Sequence, residues 1–355
     1  MASSSWRGTG AVLNAGYTFG LNGRMDWSSI SRTNNTVTFR GVRAQVQVSG
    51  SSGTAYSGVQ AYTALELPNG TSRRGKTSVG GTSQSVGNVL STGSADYSFS
   101  VGATATTTSL QVGGAYAGDG ISWASVDTIS IPSAGSPTGV SAGYSAVTAT
   151  TATLSASVSS WGTNCTAGTG QRIEWKRNAD GAWTNEAYST STSHTRSKTG
   201  LVSNTRYNVR SYVSNGAGRT GGSGTKDFYT LPLAPSSGTP AFDATTVTIP
   251  ITQNNGGGAY TITKQYRYQA VGGAWSDWTT FTANEVVITG LIPSTDYNIQ
   301  LRSTTTAGTT TGGVVSLTTL PAGKLVMPDG TVKNAVPRAI YPDGTTKMVQ
   351  VKEIQ

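Results

Sequence analysis

The chain has 355 residues, a formal charge of +9 at pH 7 and a single cysteine. Its 46 glycines and 12 prolines together stay below the roughly 25–30% typical of low-complexity chains, so we expect it to fold. At about 100–200 residues per domain, the length predicts two to four domains. Cys165 has no second thiol to pair with inside the chain, which excludes a small secreted scaffold held by disulfides.

The positive charge is spread along the chain. The formal charge is +3 in residues 1–134, +5 in 135–232, −1 in 233–320 and +2 in 321–355. The sequence has no run of Lys and Arg, and no basic patch interleaved with stacking aromatic residues, so we predict no nucleic-acid partner. The N-terminus lacks a signal-peptide pattern, and no apolar run approaches the roughly 20 residues of a membrane span. We therefore expect a chain made in the cytoplasm, without membrane insertion.

Short runs of alternating polar and apolar residues predict an all-β protein. In residues 36–48, Thr, Arg and Gln alternate with Val, Phe and Ala, as in a strand with one buried face. Further strands are predicted over residues 60–67, 95–101, 109–113 and 125–131, and no window shows the spacing of an amphipathic helix. Several short strands with frequent turns predict a β-sandwich over residues 1–134, of jelly-roll-like or immunoglobulin-like type.

An internal repeat occupies residues 135–232 and 233–321, which proline-containing linkers separate from each other and from the preceding segment. Tyr207 and Tyr297 are 90 residues apart, and four further anchors recur in the same order at spacings of 89 to 92 residues. Such regular spacing indicates repeated structural units. About 90 residues with several alternating strands is the size of one immunoglobulin-like sandwich.

Two segments of the repeat share one pattern. They are Gly200-Leu201-Val202-Ser203-Asn204-Thr205-Arg206-Tyr207 and Gly290-Leu291-Ile292-Pro293-Ser294-Thr295-Asp296-Tyr297. In each segment a Leu precedes a turn and a Tyr opens the next strand, and this pattern resembles the fibronectin type III family. The resemblance covers roughly residues 136–321 and implies that Tyr207 and Tyr297 form tyrosine corners, in which the hydroxyl bonds to the upstream backbone. It is nearly silent on function, because such modules serve as spacers or adhesion units in many unrelated proteins.

The C-terminal segment, residues 322–355, carries a second and shorter repeat. The tripeptide Pro-Asp-Gly occurs at residues 328–330 and again at 342–344, a spacing of 14 residues. Each copy is typical of a hairpin turn, because Pro fixes φ and Gly takes a positive φ. Two hairpins bury too little core to be stable alone, so we expect them to pack on a neighbouring domain. Tandem hairpins of this type resemble those that end tail and fibre proteins of tailed bacteriophages.

Residues that could carry catalysis are scattered along the sequence. His194 lies in a hydroxyl-rich stretch with no carboxylate or cysteine beside it, and Cys165 lacks a second thiol at metal-ligand spacing. Glycoside hydrolysis needs two carboxylates about 5–10 Å apart. The densest group of acids is Glu174, Asp180 and Glu186, of which Asp180 lies in a predicted turn. We therefore predict no enzyme activity, no cofactor and no metal site.

Tryptophans are the remaining candidates for contacts with a ligand or partner. Trp183, Trp275 and Trp278 follow predicted strands of the repeat and could present flat apolar faces to sugar rings, or pack a hairpin against its own sandwich. Trp6 and Trp27, near the N-terminus, could anchor a partner subunit.

These observations lead to a functional hypothesis. We expect a non-enzymatic structural component of a bacteriophage virion, most simply a tail, tail-tip or fibre protein that contributes to host-surface attachment. Its expected partners are other virion tail proteins, further copies of itself, and a host cell-surface polysaccharide. Residues 1–134 would serve docking, oligomerisation or adhesion. The alternative is a carbohydrate-binding or adhesive accessory module of a bacterial extracellular protein.

Overall fold

The protein is built from β-strands joined by turns and loops. The computed structural model describes residues 2–3, 5, 7–14, 18–50, 61–66, 72–75, 89–91, 94–109, 111–116, 122–125, 128–322, 324–326, 332–334, 338–340 and 346–348. Every regular element in these residues is a strand, and all the strand pairs are antiparallel. None of these residues belongs to a helix long and apolar enough to cross a membrane. The predicted all-β fold class is confirmed.

The N-terminal module consists of two sheets and a short ribbon. The seven-stranded sheet contains β1 (Ala2–Ser3), β2 (Arg7–Asn14), β3 (Thr18–Trp27), β4 (Ser29–Thr33), β5 (Thr36–Gly50), β8 (Val89–Ser91) and β9 (Ala95–Ser100). The four-stranded sheet contains β6 (Ala61–Glu66), β7 (Ser72–Gly75), β11 (Gln111–Tyr116) and β12 (Ser122–Ser125), and the ribbon pairs β10 (Thr107–Thr108) with β13 (Ile129–Ser130). The smaller sheet lies against β2, β3 and β5 of the larger one, which gives two layers. Residues 125–131, where one strand is expected, contain the end of β12 and all of β13. These two strands lie in different sheets, and the alternation of polar and apolar residues does not reveal that the strand is interrupted.

One buried arginine ties the loops of the N-terminal module together. Arg32 on β4 is 4% exposed. Its guanidinium donates hydrogen bonds to the backbone carbonyls of Asn34, Gly102, Ala103, Ala105 and Pro132. These hydrogen bonds join the β4–β5 turn, the loop after β9 and the linker that begins at Pro132 and leads to the first repeat. The apolar core beside it includes Met25, Val37, Phe39, Val42 and Phe99.

The first repeat folds into a two-layer sandwich, the first sandwich. One sheet contains β14 (Ser141–Ser145), β15 (Ala152–Ser157) and β18 (Ser193–Lys198). The other contains β16 (Gly170–Arg177), β17 (Thr184–Asn185), β19 (Arg206–Ser214), β20 (Thr220–Gly222) and β21 (Lys226–Tyr229). Alternation produces the layers: Ala152, Leu154 and Ala156 are buried while the residues between them are half-exposed. They pack against Ile173, Val209 and other residues of the facing sheet.

The second repeat forms the second sandwich on the same plan. One sheet contains β22 (Ser236–Ser237), β23 (Ala241–Phe242), β24 (Thr246–Thr252) and β27 (Glu285–Thr289). The other contains β25 (Thr263–Ala270), β26 (Thr279–Phe281), β28 (Asp296–Thr305) and β29 (Gly308–Thr318). Val247, Ile249 and Ile288 of one layer share a core with Ile299 and Leu301 of the other. The two repeats are therefore fibronectin type III-like sandwiches.

The C-terminal segment contains two strand pairs where hairpins are expected. They join β30 (Lys324–Val326) to β31 (Val332–Asn334), and β32 (Arg338–Ile340) to β33 (Thr346–Met348). The Pro-Asp-Gly turns themselves lie outside the described residues. Val326 pairs with Phe242 of β23. The first hairpin thus extends a sheet of the second sandwich, consistent with the expectation that the hairpins pack on a neighbour.

Candidate functional sites

The residues considered for catalysis do not converge in the described part of the chain. No group of three or more His, Cys, Asp and Glu side chains there could hold a metal ion. His194 lies on β18, half-buried, and neither ring nitrogen has a hydrogen-bond partner. Its pKa is lowered by burial and by the positive charge of Arg196. Cys165 is a half-buried free thiol whose Sγ lies 3.6 Å from the carbonyl oxygen of Gly135.

An asparagine side chain joins the N-terminal module to the first sandwich. Asn34 lies in the β4–β5 turn with a φ of 55°. Its Nδ2 donates to Thr166 Oγ1 (2.9 Å), and its Oδ1 accepts from the Thr166 backbone N–H (2.9 Å). The backbone N–H of Asn34 also donates to the carbonyl of Asn164 (2.8 Å). A Cβ added to Gly216 would overlap the side-chain amide of Asn34, so a larger residue there would displace this amide from its position. We call this arrangement the Asn34 latch.

A second asparagine joins the two sandwiches in the same way, and we call it the Asn204 latch. Asn204 is 1% exposed and has a φ of 45°. Its Nδ2 donates to the carbonyls of Tyr260 (2.8 Å) and Asn255 (3.2 Å), and its Oδ1 accepts from the Tyr260 N–H (3.1 Å). Gly256 faces this corner with a φ of 57°, and a Cβ there would lie 2.0 Å from the carbonyl oxygen of Ser203.

The two latches share one design. In each, an asparagine with left-handed backbone, a conformation that Asn tolerates better than most residues, closes a corner of the preceding module. Its amide then bonds to a loop that joins the two sheets of the following sandwich, the β15–β16 loop (158–169) in the first and the β24–β25 loop (253–262) in the second. A planar amide that both donates and accepts fixes orientation as well as distance. The design therefore holds successive modules in a defined alignment.

An aromatic contact reinforces the junction between the sandwiches. The rings of Tyr229 and Tyr260 lie 4.8 Å apart, at an angle of 39° between their planes. A side-chain hydrogen bond with Tyr260 and partial burial raise the pKa of Tyr229. The junction thus combines an amide latch, backbone hydrogen bonds from Gly257 and Ala259 to the carbonyls of Ser203 and Asn204, and two tilted rings in contact.

Tyr207 and Tyr297 occupy equivalent places, each as the second residue of a long strand, β19 in the first sandwich and β28 in the second. The hydroxyl of Tyr207 accepts a hydrogen bond from the Val202 N–H (2.9 Å), and that of Tyr297 from the Ile292 N–H (3.0 Å). Both rings are buried, at 4% and 5% exposure. This is the geometry of a tyrosine corner, and it fixes the loop that precedes each long strand.

In the second sandwich, tryptophans and arginines alternate on the outer face of the sheet that contains β25 and β28. The Arg267 guanidinium lies over the rings of Trp275 (4.5 Å) and Trp278 (4.6 Å), and that of Arg302 lies over Trp278 (4.1 Å). We call these four residues the arginine–tryptophan stack. Ser276 holds the loop in place, since it exchanges hydrogen bonds with the backbone of Tyr268. Trp278 thus contacts two guanidiniums, whereas Trp275 contacts one, which makes Trp275 the better candidate of the two for contact with a sugar ring.

On the equivalent face of the first sandwich, an acidic side chain neutralises the arginines. The cationic groups of Arg210 and Lys176 lie 4.1 Å and 5.4 Å from the centre of the Trp183 ring. Glu174, 3% exposed, accepts hydrogen bonds from Arg210 Nε (2.6 Å) and from Arg172 Nη2 (2.6 Å). The indole and the basic side chains here form a closed network with their own counter-charge.

Of the two N-terminal tryptophans, the structure describes Trp27 but not Trp6. Trp27 on β3 is half-buried and meets Phe39 edge to face, with ring centroids 6.1 Å apart. Its ring therefore belongs to the core of the module, although its exposed part lines a surface cleft with Ile30 and Ile129. Trp6 lies outside the described residues.

Sequence reasoning singled out the tryptophans of the stack, but not its arginines or the residues that make the latches. Asn34 and Thr166 are 132 residues apart, and Asn204 and Tyr260 are 56 apart. A weak signal for the latches was available, because Asn is the commonest non-glycine residue with positive φ. The arginines of the stack carry no motif of their own.

Comparisons with known proteins add little beyond the fold. No protein-family model and no curated protein matches the chain. The chain is similar to the chicken CNTN1 FN1–FN3 domains, with 14% identity and a TM-score of 0.28 over 83% of this chain and 97% of that one. It is also similar to a two-domain fibronectin type III segment of chicken tenascin, with 17% identity and a TM-score of 0.32 over 51% of this chain and 97% of that one. At such low values, the fibronectin type III-like description rests on the chain's own sheets and tyrosine corners.

Proposed function

We propose that the protein is a non-enzymatic structural component of a bacteriophage virion, a tail, tail-tip or fibre protein that contributes to host-surface attachment. The observation that carries this proposal is the pair of latches. Connected domains move relative to one another unless their interface is extensive. Here directional hydrogen bonds at Asn34 and Asn204 replace a loose linker at both junctions. The three modules therefore act as one stiff spacer that holds a contact surface away from its base.

The setting in a virion rests on the C-terminal hairpins and their resemblance to the ends of phage tail and fibre proteins. The pairing of Val326 with Phe242 joins the first hairpin to the spacer, so that load passes from sandwich to hairpin through a shared sheet. We assign docking or oligomerisation to the N-terminal module, with other tail proteins and further copies of the chain as partners.

The test is the location of the protein in particles. Cells that carry the gene are induced to lyse, particles are purified on a density gradient, and antibodies against the full chain are used for immunoblots and immunogold microscopy. The proposal predicts co-sedimentation with particles and gold at the tails. Recovery of the protein only from the fractions that lack particles would contradict it.

The second candidate is a carbohydrate-binding or adhesive accessory module of a bacterial extracellular protein. The arginine–tryptophan stack favours it, because an exposed indole beside cationic groups suits a glycan. This candidate predicts glycan binding by the chain together with its absence from particles. The two candidates thus differ in one measurement, the particle association described above.

A further inference from the structure

Within the part of the chain that the structure describes, two arginines of the second sandwich have no acidic partner. Arg267 and Arg302 point away from the core on adjacent strands, because Tyr266, Tyr268, Ile299 and Leu301 face inward. Their acceptors are amides: Arg267 donates Nε and Nη2 to Gln300 Oε1, and Arg302 donates Nε to Gln265 Oε1. Among the described residues, no carboxylate lies within ion-pair distance of either guanidinium, and no protein acceptor is bonded to Nη1 or Nη2 of Arg302.

The first sandwich provides an internal comparison. Glu174 pairs in register with Arg210, and at the same place in the second sandwich Arg267 pairs with Gln300. The carboxylate that accepts two arginines in one sandwich is thus replaced by a guanidinium in the other. A half-exposed arginine with free N–H groups on its outer edge is suited to a forked contact with an external carboxylate.

The stack also offers an indole at the opposite end from Arg302. Trp275 contacts Arg267 and is half-exposed, and the contacts run in the order Trp275, Arg267, Trp278 and Arg302. A ligand that uses both ends must carry rings with apolar faces and acidic groups repeated along one polymer. Uronic acid residues of an acidic polysaccharide have this combination, whereas a linear polyphosphate has the charge without the ring and a neutral glucan has the ring without the charge.

We propose that the arginine–tryptophan stack binds a carboxylate-bearing polysaccharide, with a sugar ring of one unit on Trp275 and the carboxylate of another unit of the same polymer on the guanidinium of Arg302. This proposal deepens the proposed attachment function and rests on it for its biological setting. Polysaccharide binding is tested on the purified full chain. A negative binding result therefore does not affect the particle experiment, and a negative particle result does not affect the interpretation of the binding data.

The experiment measures binding of the full chain to polygalacturonate by affinity electrophoresis and calorimetry, with dextran and polyphosphate as the neutral and phosphate comparisons. We expect binding to polygalacturonate that weakens as salt is raised, and weaker or no binding to the other two polymers. Equal binding to dextran, tighter binding to polyphosphate, or no binding to any polymer would each overturn the proposal.

The sharpest variant is Gln265→Glu, which supplies the second sandwich with an acid next to Arg302 at almost unchanged shape. Thr280, which now accepts a hydrogen bond from the Gln265 amide, can donate its hydroxyl to the new carboxylate. We expect affinity to fall about tenfold, the effect of one hydrogen bond to a charged group, while the melting temperature stays the same or rises. Trp275→Ala should weaken binding as well.

The matched control is Asn284→Asp, which makes the same charge change on the exposed loop between β26 and β27. It should bind like the parent chain. If Asn284→Asp weakens binding as much as Gln265→Glu does, the effect comes from net charge alone and the assigned site is wrong. If Gln265→Glu and Trp275→Ala both bind like the parent, the stack is a structural brace without a ligand.

Discussion

The Asn204 latch makes a quantitative prediction about the stiffness of the chain. Asn204→Ala removes three hydrogen bonds, two to the carbonyls of Asn255 and Tyr260 and one from the Tyr260 N–H. At about 0.5–1.5 kcal/mol for each bond, the amide contributes about 2–4 kcal/mol to docking of the sandwiches. Alanine also has to adopt the left-handed backbone, which costs about 1 kcal/mol more. Asn204→Gly loses the amide and avoids the backbone cost, so the two variants separate the contributions.

The assay measures the distance between spin labels on the exposed residues Ser197 and Thr289, in a Cys165→Ser background. We expect a narrow distance distribution for the parent, a broad one for Asn204→Ala and a broadened one for Asn204→Gly. Ser294→Gly is the control, because Ser294 has a φ of 49° at the equivalent corner of the second sandwich, away from this junction. Equal widths in the parent and both Asn204 variants would refute the latch.

Three further predictions concern stability, each followed by urea unfolding. Tyr207→Phe removes the acceptor for the Val202 N–H and should cost about 1 kcal/mol, and an unchanged midpoint would show that water replaces the hydroxyl. Arg32→Met leaves a cage of carbonyls without donors and should cost about 2–4 kcal/mol in the N-terminal module, which a loss within error would contradict. For His194, burial and Arg196 lower the folded-state pKa below the ordinary histidine value of about 6.5, so the unfolded chain binds the proton more readily. Stability should therefore fall as the pH drops below about 6.5 toward the lower folded pKa, and His194→Phe should flatten this part of the curve.

The strands and the tyrosine corners follow from local sequence patterns. In β15, alternation of small apolar and hydroxyl residues from Ala152 onward is enough to place one face in the core. Each corner tyrosine lies five residues after the residue whose backbone N–H donates to its hydroxyl, so both partners of the hydrogen bond belong to one short segment. These features depend on neighbours in sequence, and such neighbours are visible before any fold is known.

The latches depend on contacts between modules, which a single sequence does not encode in any local pattern. Asn34 reads as an ordinary turn residue, and the run Gly256-Gly257-Gly258 reads as a flexible connection. In the fold, Gly256 leaves space for the corner that carries Asn204, and the glycine run becomes part of a fixed junction. The sequence offers Trp275 and Trp278 as candidates for contact with a glycan, which stays a prediction, and their arginine partners come from two strands whose register only the structure gives.

Net charge by segment is a poor guide to where an anion would bind in this chain. The first repeat carries +5 and the second −1. In the first sandwich, ion pairs join Arg172 and Arg210 to Glu174, Arg177 to Asp180, Lys198 to Glu186 and Arg206 to Asp227. Among the described residues of the second sandwich there are no such pairs, and the guanidiniums of Arg267 and Arg302 meet only amides and indoles. A charge that is already paired offers little to a ligand, because any new contact must replace an existing one. The two arginines of the stack are therefore available to an anionic ligand although their segment has a net negative charge.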